Sequence, residues 1–163
     1  MRVSHTVILP LLVATACASG SGGSGTSTQA PATQSGASSA PARTLVASLS
    51  PMNNAGNRIL GSVKLTPTGT DGYRAEVEIR NGGGPQNKYP WVIRPGQCGD
   101  DNRDVLGNEL AYRVLETTAD GTVRITAPLR LRIPEGVFHI NVLKGTGPSD
   151  REVVVSCGVL SAG

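Results

Sequence analysis

Alternation of apolar and polar residues with a period of two is the feature that most limits what this chain can form. In YRAEVEIR (73–80), apolar side chains occupy every second position and charged ones the positions between. Successive side chains of a strand point to opposite faces, so the pattern predicts a half-buried β-strand. Similar alternation recurs in TLVASLS (44–50), ILGSVKLT (59–66), TVRITAPLRLRI (122–133), VFHINVLK (137–144) and REVVVSCGVL (151–160).

Clusters of glycine, asparagine and proline separate these segments, as in NNAG (53–56), GTDG (69–72), NGGGP (81–85) and GTGP (145–148). Glycine and asparagine tolerate the positive φ of tight turns, and proline fixes its own φ. Asp120-Gly121, between two alternating segments, is the strongest hairpin signal. About seven or eight strands spaced by such turns predict an all-β, antiparallel, two-sheet sandwich.

The segment GNELAYRVLET (107–117) is compatible with either a helix or a strand. Leu110, Tyr112 and Val114 alternate with other residues, and the turn-forming ADG follows. We therefore predict a strand here.

The first 16 residues have the composition of a secretory signal. Arg2 supplies a positive charge, 7–13 is apolar apart from Pro10, and small residues follow at 14–16. The apolar run is too short to cross a bilayer as a helix, and no amphipathic period follows that would indicate a buried helix. We therefore predict a signal peptide at residues 1–16 that is removed on export.

Cys17 follows these small residues, and the arrangement resembles the lipobox of bacterial lipoproteins. In that family the cysteine becomes the mature N-terminus and carries acyl chains, so the resemblance implies lipidation of Cys17 and a membrane anchor. The family favours leucine where this chain has Ala14, and an ordinary cleaved signal is the alternative. Because Ala18 follows in place of aspartate, the resemblance implies a cell-envelope protein held in the outer membrane.

Residues 18–43 contain no aromatic and no large aliphatic side chain, and consist of glycine, serine, threonine, alanine, glutamine and proline with a single charge. Such a segment cannot bury enough apolar surface to offset the entropy of ordering, so we expect a disordered linker. The lipidated cysteine and linker therefore span 17–43, and the remaining 44–163 form one domain. Its 120 residues are enough for a core of its own.

The charge of the chain argues against a nucleic-acid partner. Without Arg2, the 15 basic residues become 14, against 12 acidic ones. The basic residues are scattered, and the single Trp and single Phe offer no set of stacking aromatics. We expect no nucleic-acid binding, and membrane contact only through the N-terminal lipid anchor.

Cys98 and Cys157 are the cysteines of the domain, 59 positions apart. In a chain predicted to leave the reducing cytosol, we expect them to form a disulfide. Two separate buried thiols are the alternative.

The surroundings of the two cysteines resemble copper/zinc superoxide dismutases. VVVSCGVL (153–160) is similar to the last strand of that family, and GQCGD (96–100) to the loop that carries the partner cysteine. The first strands, within 46–79, are similar as well. The resemblance implies an eight-stranded Greek-key sandwich of immunoglobulin-like architecture, with a disulfide from the loop to the last strand.

The metal ligands of that family are missing from the stretch WVIRPGQC (91–98). The family carries a His-x-His pair on this strand, and Val92 and Arg94 stand in its place. Of the two histidines in the chain, His5 belongs to the signal peptide and only His139 remains. One imidazole cannot build a copper or zinc site, and a protonated arginine has no lone pair to donate. We therefore expect no cofactor and no dismutase activity.

Other candidate sites are few. His139 is expected to be a structural or surface histidine, with a lone metal contact as the alternative. Asp100 and Asp104 begin like a calcium loop, but the required glycine and bidentate glutamate are absent further on. Trp91 is expected in the core, with an exposed binding edge as the alternative. The loops at 81–85 and 97–104 are the expected contact surface.

The sequence thus predicts a membrane-anchored envelope lipoprotein with a metal-free, non-catalytic domain like those of superoxide dismutases. Its role would be binding or structural, with an unknown envelope protein or ligand as partner. The alternative is a copper/zinc-dependent superoxide dismutase, or another metal-binding redox protein, with an unconventional site.

Overall fold

The computed structural model describes residues 42–52, 58–100 and 104–163. The predicted signal peptide, Cys17 and the linker as far as residue 41 lie outside the described residues. In the part of the chain that is described, no helical segment has the length and apolarity needed to cross a bilayer.

The described residues form ten strands and two short 3₁₀ turns. The turns are Glu109–Ala111 and Asp150–Glu152. The strands are β1 (Leu45–Pro51), β2 (Leu60–Pro67), β3 (Tyr73–Arg80), β4 (Lys88–Tyr89), β5 (Trp91–Pro95), β6 (Leu115–Glu116), β7 (Val123–Leu129), β8 (Phe138–Leu143), β9 (Val154–Val159) and β10 (Ser161–Ala162).

The strands pair in two sheets that share β1. The first sheet runs β10-β1-β2-β3-β7 and the second runs β1-β9-β8-β5, with antiparallel pairing throughout. β4 and β6 form a separate antiparallel pair. The chain crosses from the first sheet to the second after β3 and again after β7, as in a Greek key. The all-β antiparallel sandwich predicted from the sequence is confirmed.

The core lies between the inward faces of these sheets. In β3 the apolar residues of YRAEVEIR are buried and the residues between them are exposed or half-buried. Each fully buried side chain of this size contributes roughly 1.5–3 kcal/mol. The largest fully buried side chains are Trp91, Leu49, Ile59, Leu65, Ile79, Ile93, Leu115, Leu129 and Ile140.

The strand predicted across 107–117 is wrong for most of its length. Glu109–Ala111 is a 3₁₀ turn, capped by the Asn108 side chain, which accepts a hydrogen bond from the backbone N–H of Leu110. Leu110 is 90% exposed, whereas Tyr112 is buried. Only the two residues of β6 are strand, because the asparagine cap satisfies a backbone donor that a strand ladder would otherwise use.

Asp120-Gly121 forms the turn that the sequence predicts. The backbone N–H of Thr118 donates to the carbonyl of Thr122 at 2.9 Å, and Gly121 has φ 73°. The strands on either side nevertheless pair elsewhere, β6 with β4 and β7 with β3. The turn therefore connects two sheets and does not close a simple hairpin.

Gly61 of β2 lies close against the backbone of β3. A β-carbon at this position would stand 2.1 Å from the backbone oxygen of Glu78, and backbone cannot move aside as a flexible side chain can. We expect Gly61→Ala to lower the free energy of unfolding by about 2 kcal/mol, measured by urea denaturation. Gly84→Ala is the control, since nothing lies within 4 Å of a β-carbon there. Equal urea midpoints for both variants would contradict this expectation.

Candidate functional site

The outer face of the second sheet carries the residues that the sequence singles out. Trp91 and Ile93 of β5 point into the core, so the alternating Val92 and Arg94 point outward. In the strand register, Val92 stands opposite Asn141 and Arg94 opposite His139. We call the four residues Val92, Arg94, His139 and Asn141 the outer-face site.

This face of the sheet is covered, which explains why every residue of β8 is buried. The Sγ atoms of Cys98 and Cys157 lie 2.05 Å apart, at disulfide-bonding distance as predicted, and Cys157 stands opposite Asn141 in β9. The disulfide thus holds the loop after β5 over the outer-face site; we call its described residues, 96–100 and 104–106, the covering loop. The same loop is attached again where the N–H of Leu106 donates to the carbonyl of Ile93.

His139 is a fully buried structural histidine, with 0% of its surface exposed. Its Nδ1 lies 3.0 Å from the carbonyl oxygen of Gly96. A carbonyl only accepts, so Nδ1 must carry the proton and donate. This burial agrees with a structural histidine and rules out a surface histidine, and the lone metal contact stays an alternative.

Two side-chain acceptor atoms of the outer-face site have no hydrogen-bond partner within the described residues. They are Nε2 of His139 and Oδ1 of Asn141. Asn141 is only 4% exposed. Arg94 is half-buried beside them and makes contacts of its own. Sequence reasoning missed Asn141, because its burial depends on a loop that is remote in the chain.

The metal candidates do not come together. Among residues 42–52, 58–100 and 104–163, no group of three or more His, Cys, Asp or Glu side chains is placed to hold a metal ion. Asp100 instead accepts a hydrogen bond at 2.6 Å from the backbone N–H of Gln97, which closes a tight turn. Asp104 is exposed. The remainder of the calcium-like stretch, 101–103, lies outside the described residues.

Trp91 is a core residue, as predicted, with 1% of its surface exposed. Its indole Nε1 donates to the carbonyl of Arg113 at 2.8 Å. Its ring packs edge-on against Tyr112, with centroids 5.0 Å apart. The Tyr112 hydroxyl donates to the carbonyl of Leu106 at 2.6 Å. Trp91 and Tyr112 therefore connect the core to the far end of the covering loop.

Tyr112 gives the domain a sensitivity to alkaline pH. Burial raises the pKa of Tyr112 to about 12, from 10.0. The folded state holds this proton more tightly than the unfolded state, so the contribution to stability is complete below pH 10 and lost as pH rises towards 12. We expect the urea midpoint to fall over this range, and to fall less steeply in Tyr112→Phe. Parallel pH profiles of the two proteins would contradict this assignment.

The two loops expected to form one contact surface begin at opposite ends of the sandwich. The 81–85 loop follows Arg80, which pairs with Leu60. The 97–104 loop follows Pro95, which pairs with Phe138 near the other end of β1. The first loop is fixed by hydrogen bonds to the carbonyl of Gly82 from Asn87 Nδ2 and the Tyr89 hydroxyl.

The outer face of the first sheet has a polar groove of about 480 Å³ that sequence reasoning did not identify. Charged side chains at its edge pair with one another: Glu78 accepts from Arg80 and Arg124. Hydrogen bonds from Arg80 and then Arg124 lower the pKa of Glu78. Its lining includes Ser48, Ser62, Lys64, Glu76, Glu78, Arg124 and Thr126. No histidine or cysteine lies among these lining residues.

Comparison with protein-family models and with curated proteins gives no match to this chain.

Proposed function

We propose that this protein is an envelope lipoprotein, anchored to the outer membrane through Cys17. Its domain, like those of superoxide dismutases in architecture, works without metal and without catalysis. Its role is to bind or support another component of the envelope.

The observation that carries the proposal is the composition of the outer-face site. Its two outward positions on β5 hold Val92 and Arg94, and their partners on β8 are Asn141 and His139. This set contains one imidazole, whereas a redox copper prefers several nitrogen ligands. Dismutation needs a metal that cycles between oxidation states, and Arg94 is a permanent cation without a lone pair.

Among the described residues, Nε2 of His139 is the feature that favours the alternative, a copper/zinc dismutase or other metal-binding redox protein. It is buried and has no partner within the described residues. A single nitrogen next to an arginine is a poor ligand set, because the guanidinium repels a second cation at short range.

Metal analysis of the full-length protein, extracted in detergent, decides between a metal-free domain and the metal-binding alternative. We expect less than stoichiometric copper and zinc after incubation with each metal, and no superoxide consumption above that of buffer. One bound copper per chain together with superoxide consumption would overturn the metal-free assignment.

The anchor is tested separately by Cys17→Ser, with Ser19→Ala as the matched control. We expect the wild-type protein and the control to carry acyl chains, detected by mass spectrometry, and to fractionate with the outer membrane. Cys17→Ser should lack both properties. Retention of Cys17→Ser in the membrane fraction would contradict lipid anchoring and leave the metal result untouched.

The partner can be sought by site-specific photocrosslinking in the native envelope. Gln97 is exposed at the start of the covering loop, and Thr126 is exposed on the first sheet. If the covering loop is the contact surface, a crosslinker at Gln97 should capture a discrete envelope component, and one at Thr126 should not. Identical products from both positions would argue against a specific contact at the loop.

A further inference from the structure

We propose that His139 and Asn141 form a closed binding site for one small, neutral hydrogen-bond donor, a water molecule, beneath the disulfide-held loop. The site is independent of the proposed envelope role. Its binding groups are the buried histidine and the buried amide on this face of the sandwich.

The two side chains are neighbours on one face of β8. Residues two apart in a strand point to the same side, and their Cα atoms are about 6–7 Å apart at 3.2–3.4 Å per residue. Both are almost completely buried. Side chains that leave the same face at this spacing can direct both acceptors towards one water molecule, which bridges acceptor atoms about 5 Å apart.

The chemistry of the two atoms defines what they can bind. Nδ1 of His139 donates to Gly96, so in the neutral ring Nε2 keeps its lone pair and accepts. Oδ1 of Asn141 is also an acceptor, and neither atom has a partner within the described residues. A buried acceptor left unsatisfied is unfavourable, because it has lost its hydrogen bonds to solvent. One water supplies two donors and satisfies both atoms.

The surroundings of the site favour a neutral ligand. Arg94 stands opposite His139 in the register, so a positive charge already lies beside the site. Cys157, opposite Asn141, carries the disulfide that holds the covering loop. Val92, opposite Asn141 on the other side, is buried as well. Buried waters in proteins occupy closed polar sites of this kind, and typically make two to four hydrogen bonds.

Nuclear magnetic resonance of the isotope-labelled, full-length wild-type protein in detergent tests the proposal directly. We expect a nitrogen shift at Nε2 of His139 typical of an unprotonated ring nitrogen, and cross-relaxation from the ring protons to a long-lived water. A protonated Nε2, a donor from a protein side chain, a bound metal ion or the absence of water cross-relaxation would each overturn it.

Variants then test whether the two residues share the ligand. Asn141→Leu removes the second acceptor, and we expect loss of the water signal and a changed shift at His139 Nε2. Asn141→Thr, which keeps an acceptor oxygen, should retain the signal. Thr126→Val on the first sheet is the control and should change neither. A water signal that survives in Asn141→Leu would show that the residues do not share it. If Asn141→Leu fails to fold, the wild-type and Asn141→Thr spectra still decide.

Discussion

Simultaneous replacement of Cys98 and Cys157 by alanine is expected to lower the free energy of unfolding by about 4 kcal/mol. The bond joins residues 59 positions apart, and closing a loop of that length restricts the unfolded chain by about this amount in the chain-entropy model. Urea denaturation of the oxidised wild-type protein and of the double alanine variant measures the difference.

Wild-type protein in a reducing agent is the matched control, because it loses the same constraint without a change of side chain. We expect its urea midpoint to approach that of the double alanine variant. If the variant stays within 1 kcal/mol of the oxidised wild-type protein, against the roughly 4 kcal/mol expected, the disulfide does not provide the main restraint on this loop.

The same change has a local consequence at the outer-face site. The covering loop would keep only its other attachments, such as the hydrogen bonds from the N–H of Gly96 to Val137 and from the N–H of Leu106 to Ile93. We expect both amide protons to exchange with solvent faster in the alanine variant than in the wild-type protein. Amide protons in the centre of β3 should exchange faster only by the amount that the lower global stability of the variant explains.

The longer strands β1, β2, β3, β7, β8 and β9 could be predicted because each carries its own alternation of apolar and polar residues. In β3, burial follows the alternation of YRAEVEIR along the strand. β8 could be predicted as a strand, but its burial could not. Its sequence alternates, yet both of its faces are buried, because the second cover comes from a loop more than 30 positions earlier in the chain.

The strand predicted at 107–117 is wrong for a reason that lies within the segment itself, whereas the burial of β8 depends on a remote loop. Leu110, Tyr112 and Val114 suggest a strand by spacing, but only Tyr112 is buried. Leu110 lies in a 3₁₀ turn whose first free donor is satisfied by Asn108. A capping asparagine two positions before the first alternating apolar residue is a local signal that outweighs the period.

The candidate site was only partly predictable. The sequence indicates that Val92 and Arg94 replace metal ligands if the resemblance to dismutases holds, and leaves His139 as the single imidazole. It does not indicate that Asn141 lies beside His139 under the same loop. That pairing depends on the register of β5, β8 and β9, which no single segment specifies.

Trp91→Ala is expected to destabilise the domain by about 4 kcal/mol, the second large effect. The side chain is 1% exposed and packs edge-on against Tyr112. Truncation of a buried tryptophan leaves a cavity and removes its transfer free energy, together typically about 3–5 kcal/mol. It also leaves the carbonyl of Arg113 without the indole donor. Urea denaturation, analysed as a two-state transition, measures the loss.

Two further variants separate the contributions at this position. Trp91→Phe keeps an aromatic ring against Tyr112 but loses the hydrogen bond to Arg113, so we expect an intermediate loss of about 2 kcal/mol. Leu110→Ala removes a large apolar side chain that is 90% exposed, and should change stability by less than about 0.5 kcal/mol. Equal losses for Trp91→Ala and Leu110→Ala would mean that Trp91 is not packed in the core. A loss for Trp91→Phe as large as that for Trp91→Ala would assign the effect to the hydrogen bond, because the aromatic contact with Tyr112 would then contribute little.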